Sequence, residues 1–364
     1  MRTAAINRRA FIGAGAASSV WLAAGNSTAA TTDAVPKNYR RIAVEECFNI
    51  PEIAEVQLAM GVSRHAIQMS NATRKQLFEG LLEVEAGRLR DMDAAGVAMA
   101  VLSINAPGVQ NLPDAAQATA LARVANDRLA ELVRKYPTRY GGLLSVAPQD
   151  PAAAAREIER GITQLGLNGV IINSHTNGEY LDDRKFAPIF EALVALGVPL
   201  YLHPREPSDR LAAAQDIPGF NVGWGYAAET GTHVARLITS GLFDRYPTLQ
   251  LVLGHGGEGL PYFLSRLDNR FEFEMKLVGR QTLQRKPSEY LRQNIHCTTS
   301  GMNYWPQVRM MIEVLGIERV LFAADYPMED MLPAVSAMDA APLSAADRAR
   351  FYHGNAERLF KLRS

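Results

Sequence analysis

The chain has 364 residues, 48% of them apolar and 21% charged, which is ample apolar material for a large core. Lys plus Arg and Asp plus Glu both number 38, so the formal net charge is zero. With no basic footprint, no long run of like charge and no basic amphipathic segment, nucleic acid is excluded as a partner, and a small molecule is expected.

Arg8-Arg9-Ala10-Phe11-Ile12 opens a mildly apolar, Ala- and Gly-rich run, Gly13 to Gly25, followed by the small residues Ser27-Thr28-Ala29-Ala30. A basic start, a short apolar centre and small residues before a cut form the layout of an export signal. The arginine pair resembles the twin-arginine type. Residues 1–30 are therefore expected to be a signal for delivery to the periplasm or exterior, and residues 31–40 a polar linker. The apolar run is too short and weak to span a bilayer, so no membrane association is expected once it is removed. Twin-arginine export carries folded proteins, so a metal could be loaded in the cytoplasm. Cys47 and Cys297 are the two cysteines. They make no disulfide framework, and both lie in apolar runs where buried thiols are expected.

Beyond the linker, short β-branched runs alternate with stretches of helical spacing. The first strand is expected over Ile42–Phe48. Pro51–Gln76 then forms a long loop suited to a lid or an oligomer contact. A helix over Thr73–Ala95 leads through Gly96 to a strand over Ala98–Asn105, and a helix over Ala115–Lys135 to a strand over Gly141–Val146. Pro151–Leu165 and Gly169–Asn173 repeat the pattern, as do Asp183–Leu196, stopping at Gly197, and Pro199–His203. A helix over Glu229–Phe243 precedes the strand Leu249–Gly254. Strands over Asn294–Thr298 and Val320–Ala324 complete the set, and Asn355 is expected to cap a last helix, Ala356–Leu362. Eight apolar strands alternating with helices predict one (β/α)8 TIM barrel over residues 41–364. An open doubly wound sheet is the competing arrangement, but no Gly-rich phosphate loop follows the first strand.

In such a barrel the functional groups sit where strands end. Those ends carry Glu45-Glu46-Cys47-Phe48, Asn173-Ser174-His175, His203-Pro204-Arg205, Gly254-His255-Gly256-Gly257-Glu258 and Asp325-Tyr326-Pro327. His, Glu and Asp converging on one rim can bind a divalent cation of the Zn or Mn type. Of the seven histidines, His175, His203 and His255 stand at strand ends. His296 falls mid-strand and reads as a core histidine, and His65, His233 and His353 carry no functional signal.

The segments Arg41–Phe48, Tyr201–Arg205, Gly254–Glu258 and Phe322–Pro327 together resemble the amidohydrolase-related family that contains aminocarboxymuconate-semialdehyde, γ-resorcylate and 5-carboxyvanillate decarboxylases. Ser103–Gln110, Asn173–Gly178 and Trp224-Gly225-Tyr226 also resemble its phenolic-acid decarboxylases. The resemblance runs from about Arg41 to the C-terminus and implies a metal-dependent, non-oxidative decarboxylase of a hydroxylated aromatic acid. It implies Glu45, His203 and Asp325 as metal ligands, Asp325 also as proton donor, and His255 as a catalytic or orienting group. Arg88 and Arg266 match positions that hold substrate, with Tyr226, Trp224 and His175 near the ring. Many members carry a histidine where this chain has Cys47. Cys47 is then either a fourth ligand or a small strand residue, and the loss of an imidazole favours Mn²⁺ over Zn²⁺. No organic cofactor is expected, and a homo-oligomer is. A lactone or amide hydrolase on the same barrel, or a non-catalytic periplasmic binding protein for aromatic acids, remain alternatives.

Overall fold

The computed structural model describes residues 35–60, 70–215, 217, 219–279 and 283–362. The expected signal, residues 31–34 of the linker and His65 lie outside the described residues. Eight parallel strands form one sheet in chain order: β1 Ile42–Phe48, β2 Met99–Ile104, β3 Tyr140–Ser145, β4 Gly169–Asn173, β5 Leu200–His203, β6 Leu251–Leu253, β7 Ile295–Thr298 and β8 Val320–Leu321. The ends of the sheet meet through backbone bonds from Val44 N to Phe322 O (3.2 Å), Asp325 N to Glu45 O (3.1 Å) and Cys47 N to Tyr326 O (2.9 Å). The fold is the (β/α)8 barrel.

Alternation along each strand divides two cores. Ala43, Leu102, Leu144, Ile172, Leu202 and Leu253 belong to the outer core beneath the helices. Val44, Val101, Leu143, Ile171, Tyr201, Val252 and Leu321 fill the barrel interior. Ala356 and Phe360, from the last helix, join that interior. The Phe360 carbonyl accepts from the Asn168 amide just ahead of β4, so this helix plugs the N-terminal end of the barrel.

One irregularity controls the other end. The β1–β2 register shifts between Ala43 and Glu46, the mark of a β-bulge. Val44 already faces the interior, so strict alternation would turn Glu45 outward. The bulge keeps Glu45 inside, sends Glu46 outward in register with Leu102, and brings Cys47 back level with Ser103.

Several helices depart from the spacing-based expectation. Thr73–Ala95 is two helices, Asn71–Leu82 and Ala86–Ala95, because the backbone turns extended at Glu83, whose carboxylate accepts from Glu85 N. Pro51–Gln76 is not simply a loop, since a Pro-initiated helix occupies Pro51–Ala59. Glu229–Phe243 breaks at Gly241, at φ 71°, into Ala227–Thr239 and Leu242–Arg245. Asn355 does not cap the final helix, Asn355–Phe360. Its buried amide donates instead to the carbonyls of Ile317 (2.8 Å) and Val320 (2.9 Å), tying that helix to β8.

Three histidines are buried in the neutral form. Burial, helped by nearby arginines, lowers His175 to about 4 and His296 to about 3; burial, with His175 and Arg236 nearby, lowers His233 to about 3. An unfolded histidine titrates near 6.5, so between those values the unfolded chain binds more protons than the native one. The stability these sites contribute is therefore complete above pH 6.5 and is lost as pH falls toward 4. His233→Gln keeps an acceptor for Leu181 N but cannot titrate. We expect it to be less stable than wild type at pH 7.5, with a shallower loss between pH 6.5 and 4.5 in denaturant titrations. Parallel pH profiles for the two proteins would refute this assignment.

Candidate active site and metal centre

Glu45 is buried at the mouth of the barrel. Three hydroxyls donate to its Oε2: Thr298 Oγ1 at 2.7 Å, with Tyr201 and Ser300 closer still. Tyr201 lies one turn of the pleat below His203 on β5, and Thr298 and Ser300 alternate at the exit of β7. Oε1, by contrast, is buried with no hydrogen-bond partner. A buried charged oxygen left unpaired costs roughly 1–3 kcal/mol or more, so a partner of positive charge is indicated there. Burial opposes ionisation of Glu45, but His255, His203 and the hydroxyls outweigh it and hold the carboxyl below its ordinary range.

The surroundings of Oε1 fit a divalent cation. One ligand atom each from Glu45, His203 and Asp325 lies within 4.8 Å of the others, and His203 Nε2 is 3.5 Å from Glu45 Oε1. Ligands about 2.0–2.2 Å from a common ion are separated by distances of this order. Burial keeps His203 neutral, as a ligand imidazole must be. Gly254 leaves the space for Glu45. A Cβ at that position would sit 2.6 Å from Oε1.

Asp325 follows β8 at φ 74°, a left-handed conformation that costs an L-residue about 1–2 kcal/mol. His255 and Glu258, at the exit of β6, are also left-handed, at φ 46° and 54°. Strain of this kind collects at functional rims. Glu258 Oε1 lies 3.0 Å from His255 Nδ1, and Ser300 Oγ accepts from the His255 backbone at 3.1 Å. The ring is thereby turned so that Nε2 faces Asp325 Oδ2 at 3.5 Å and Glu45 Oε1 at 3.7 Å. Burial works against a charge on His255, but Glu45, Glu258 and Asp325 prevail and raise it well above the ordinary histidine value. Burial also lifts Asp325 to about 6 against the pull of His255.

The remaining expected residues divide. Cys47 reaches the mouth but lies outside the three-member cluster, and burial, with Asp325 nearby, pushes its thiol up, away from the thiolate a ligand must be. His175 is expected at the substrate, yet both its nitrogens are engaged by backbone: Nδ1 accepts from Gly178 N (3.1 Å), so Nε2 carries the proton given to Glu206 O (3.0 Å). It holds the β4 loop. Arg88 likewise differs from its expected carboxylate-binding place. It is fully buried, donates to Cys47 O (2.7 Å) and Gly80 O (3.0 Å), and stacks 5.0 Å over the Tyr326 ring. Arg266 lies on the exposed side of the helix Leu260–Leu277. Tyr226 is partly buried at the end of the Asn221–Tyr226 turn, burial raising its phenol, while Trp224 in the same turn is exposed.

Sequence reasoning missed the hydroxyl cradle of Glu45 and the role of Glu258, although a His-x-x-Glu spacing in a Gly-rich strand exit was visible. It missed Gln110 too. This buried side chain accepts from Asn173 N (2.6 Å) and donates to Asn173 O (3.0 Å), bracing the exit of β4 from the β2 loop. The geometry makes three substitutions comparable. His203→Ala and Glu45→Ala each remove one candidate ligand, and Gly254→Ala drives a methyl group into Glu45 Oε1. All three should fold and lose bound divalent metal and activity together. Stoichiometric metal by elemental analysis in the purified variants would show that the centre lies elsewhere.

Residues 72–362 match the family model described as amidohydrolase. The chain is 40% identical to a γ-resorcylate decarboxylase of a Polaromonas species, over 79% of this chain and 90% of that one. It is similar in structure to a 5-carboxyvanillate decarboxylase from Sphingomonas paucimobilis, with 44% identity, a TM-score of 0.85, and 89% and 99% of the two chains covered. A 5-carboxyvanillate decarboxylase from Novosphingobium aromaticivorans, complexed with manganese and 4-hydroxy-3-methoxy-5-nitrobenzoic acid, superimposes with a TM-score of 0.84 and 40% identity, covering 90% and 97%. An eight-stranded barrel whose rim gathers Glu45, His203 and Asp325, matched over most of its length by that model, belongs to the amidohydrolase family.

Proposed function

We propose that this protein is a metal-dependent, non-oxidative decarboxylase of a hydroxylated aromatic acid. The observation that carries the reading is Asp325, whose carboxylate joins the Glu45–His203 cluster and faces His255 Nε2 through Oδ2 at 3.5 Å. The similarity to γ-resorcylate and 5-carboxyvanillate decarboxylases over most of the chain supports it. Glu45, His203 and Asp325 would hold the cation, Mn²⁺ as in the manganese-bound relatives or Zn²⁺. When bound, it supplies fixed positive charge that orients the substrate carboxylate and an ortho phenolic oxygen.

The chain's own residues do the rest. Asp325 delivers a proton to the ring carbon that bears the carboxylate, and the new C–H bond interrupts aromaticity. The C–C bond then breaks, its electrons return to the ring, and CO₂ leaves. His255, turned by Glu258, balances the charge of Asp325 and orients the substrate. The ring itself is the electron sink, so no organic cofactor is required. Asp325→Asn keeps size and one oxygen but is a far poorer proton donor. It should still bind metal and substrate, and lose about 10²-fold or more in kcat, the range for losing a general acid. In deuterated water the wild-type product should carry deuterium where the carboxylate was. A metal-loaded Asp325→Asn enzyme working at the wild-type rate, or a product of hydrolysis with no CO₂ released, would overturn the reading.

The proposal extends to export and assembly. The Arg8-Arg9 pair ahead of a weak apolar run supports twin-arginine delivery to the periplasm or exterior. Exposed Tyr262, Phe263, Phe273 and Leu277 on the helix Leu260–Leu277 support a homo-oligomer. Replacing both arginines by lysine should leave folded, active enzyme in the cytoplasm, while the exported wild type sediments as an oligomer. Undiminished export of the lysine variant would remove the first claim, and a monomer in sedimentation the second.

A further inference from the structure

Glu46 sits beside Glu45 of the cation cluster, yet the bulge in β1 sends it to the opposite side of the strand. There it is fully buried. Its two oxygens accept from the two backbone N–H groups that flank Asp325. Ala324 N donates to Oε1 at 3.0 Å and Tyr326 N to Oε2 at 2.8 Å. The N–H between them, that of Asp325, donates to the Glu45 carbonyl at 3.1 Å. Three consecutive amides of the β8 exit are thus anchored on two consecutive residues of β1.

The residue in the middle of this anchor is the strained one, at φ 74°. A left-handed backbone persists only where its surroundings over-determine it. The clamp supplies that constraint, since the two oxygens of this carboxyl, which burial pushes up to about 8, span the kinked residue and receive the amides on both sides. Arg88 reinforces it from behind, through Cys47 O at 2.7 Å and the face of the Tyr326 ring. Cys47 N in turn donates to Tyr326 O at 2.9 Å.

We propose that Glu46 is the positioning residue for Asp325: by receiving the N–H groups on both sides of it, Glu46 holds the Asp325 backbone left-handed and aims its carboxyl at the cation cluster and His255. A glutamine has the same length but only one accepting oxygen, and its amide group would oppose the second N–H. An aspartate keeps both acceptors but is one methylene short of spanning them.

The test compares Glu46→Gln, Asp325→Asn and the double variant as full-length, Mn²⁺-loaded proteins. This inference rests on Asp325 being the proton donor, and the measurements separate the two ideas. Glu46→Gln should weaken Mn²⁺ binding about 10-fold, whatever the reaction. It should lower kcat by about 10- to 100-fold with KM changed less than about threefold, and raise the solvent deuterium isotope effect on kcat. In the double variant it should add little to the loss from Asp325→Asn alone, because it acts through that residue. Weakened Mn²⁺ binding with an unchanged isotope effect would keep the clamp and refute Asp325 as donor. Wild-type Mn²⁺ affinity and kcat in Glu46→Gln, or losses that simply multiply in the double variant, would refute the clamp. Should Glu46→Gln not fold, Glu46→Asp is read in the same way, with smaller losses expected and the same overturning results.

Discussion

The mouth of this barrel is organised around one buried carboxylate. An ionised carboxyl taken out of water is tolerated only when each oxygen finds compensation. Glu45 finds it unequally: Tyr201, Thr298 and Ser300 converge on Oε2, and Oε1 is left without a hydrogen-bond partner. That imbalance gives the centre its direction. It fixes the side on which a cation is attracted, it requires a glycine at 254, and through Ser300 it ties the β6 exit carrying His255 to the same carboxylate. Supporting donors of this kind orient a ligand and tune it, and they come from strands far from it in sequence.

The histidines show how burial and partners sort one residue type into two uses. His175 and His233 have an accepting nitrogen occupied by a backbone N–H, from Gly178 and Leu181 respectively, so each is a neutral fastener for a loop. His233 also meets Ser174, whose hydroxyl lies 3.4 Å from the buried Glu229, and Tyr180 joins the same carboxylate at 3.1 Å. That network stiffens the exit of β4 behind the site. His203 and His255 instead present ring nitrogens to carboxylates at the mouth. Burial keeps His203 neutral while Glu45, Glu258 and Asp325 favour the charged form of His255, so the two rings meet the same cluster in opposite states.

Rigidity at the rim comes from backbone more than from packing. Gln110 laces the β2 loop to β4, and Arg88 and Glu46 lace β1 to β8. These braces flank two of the positions where non-glycine residues are held left-handed, Ser174 just after β4 and Asp325 after β8. A kinked exit held from both sides fixes the place of the Asp325 carboxyl beside the cluster.

The eight-stranded order was legible because buried parallel strands read as short apolar runs, and the strand-end positions of Glu45, His203, His255 and Asp325 followed from the barrel's polarity. The breaks at Glu83 and Gly241, and the helix within Pro51–Gln76, were not, because tertiary contacts override the spacing that joins or separates helices. What the sequence determined by itself was the barrel and the set of residues at its rim, since both depend on local periodicity and on where each strand stops. Only the tertiary structure decided which of those residues turn inward. A single bulge between Ala43 and Glu46 put Glu45 in the site and Glu46 behind it, and long-range hydrogen bonds, invisible to any local pattern, made His175 and Arg88 braces instead of ligand-binding groups.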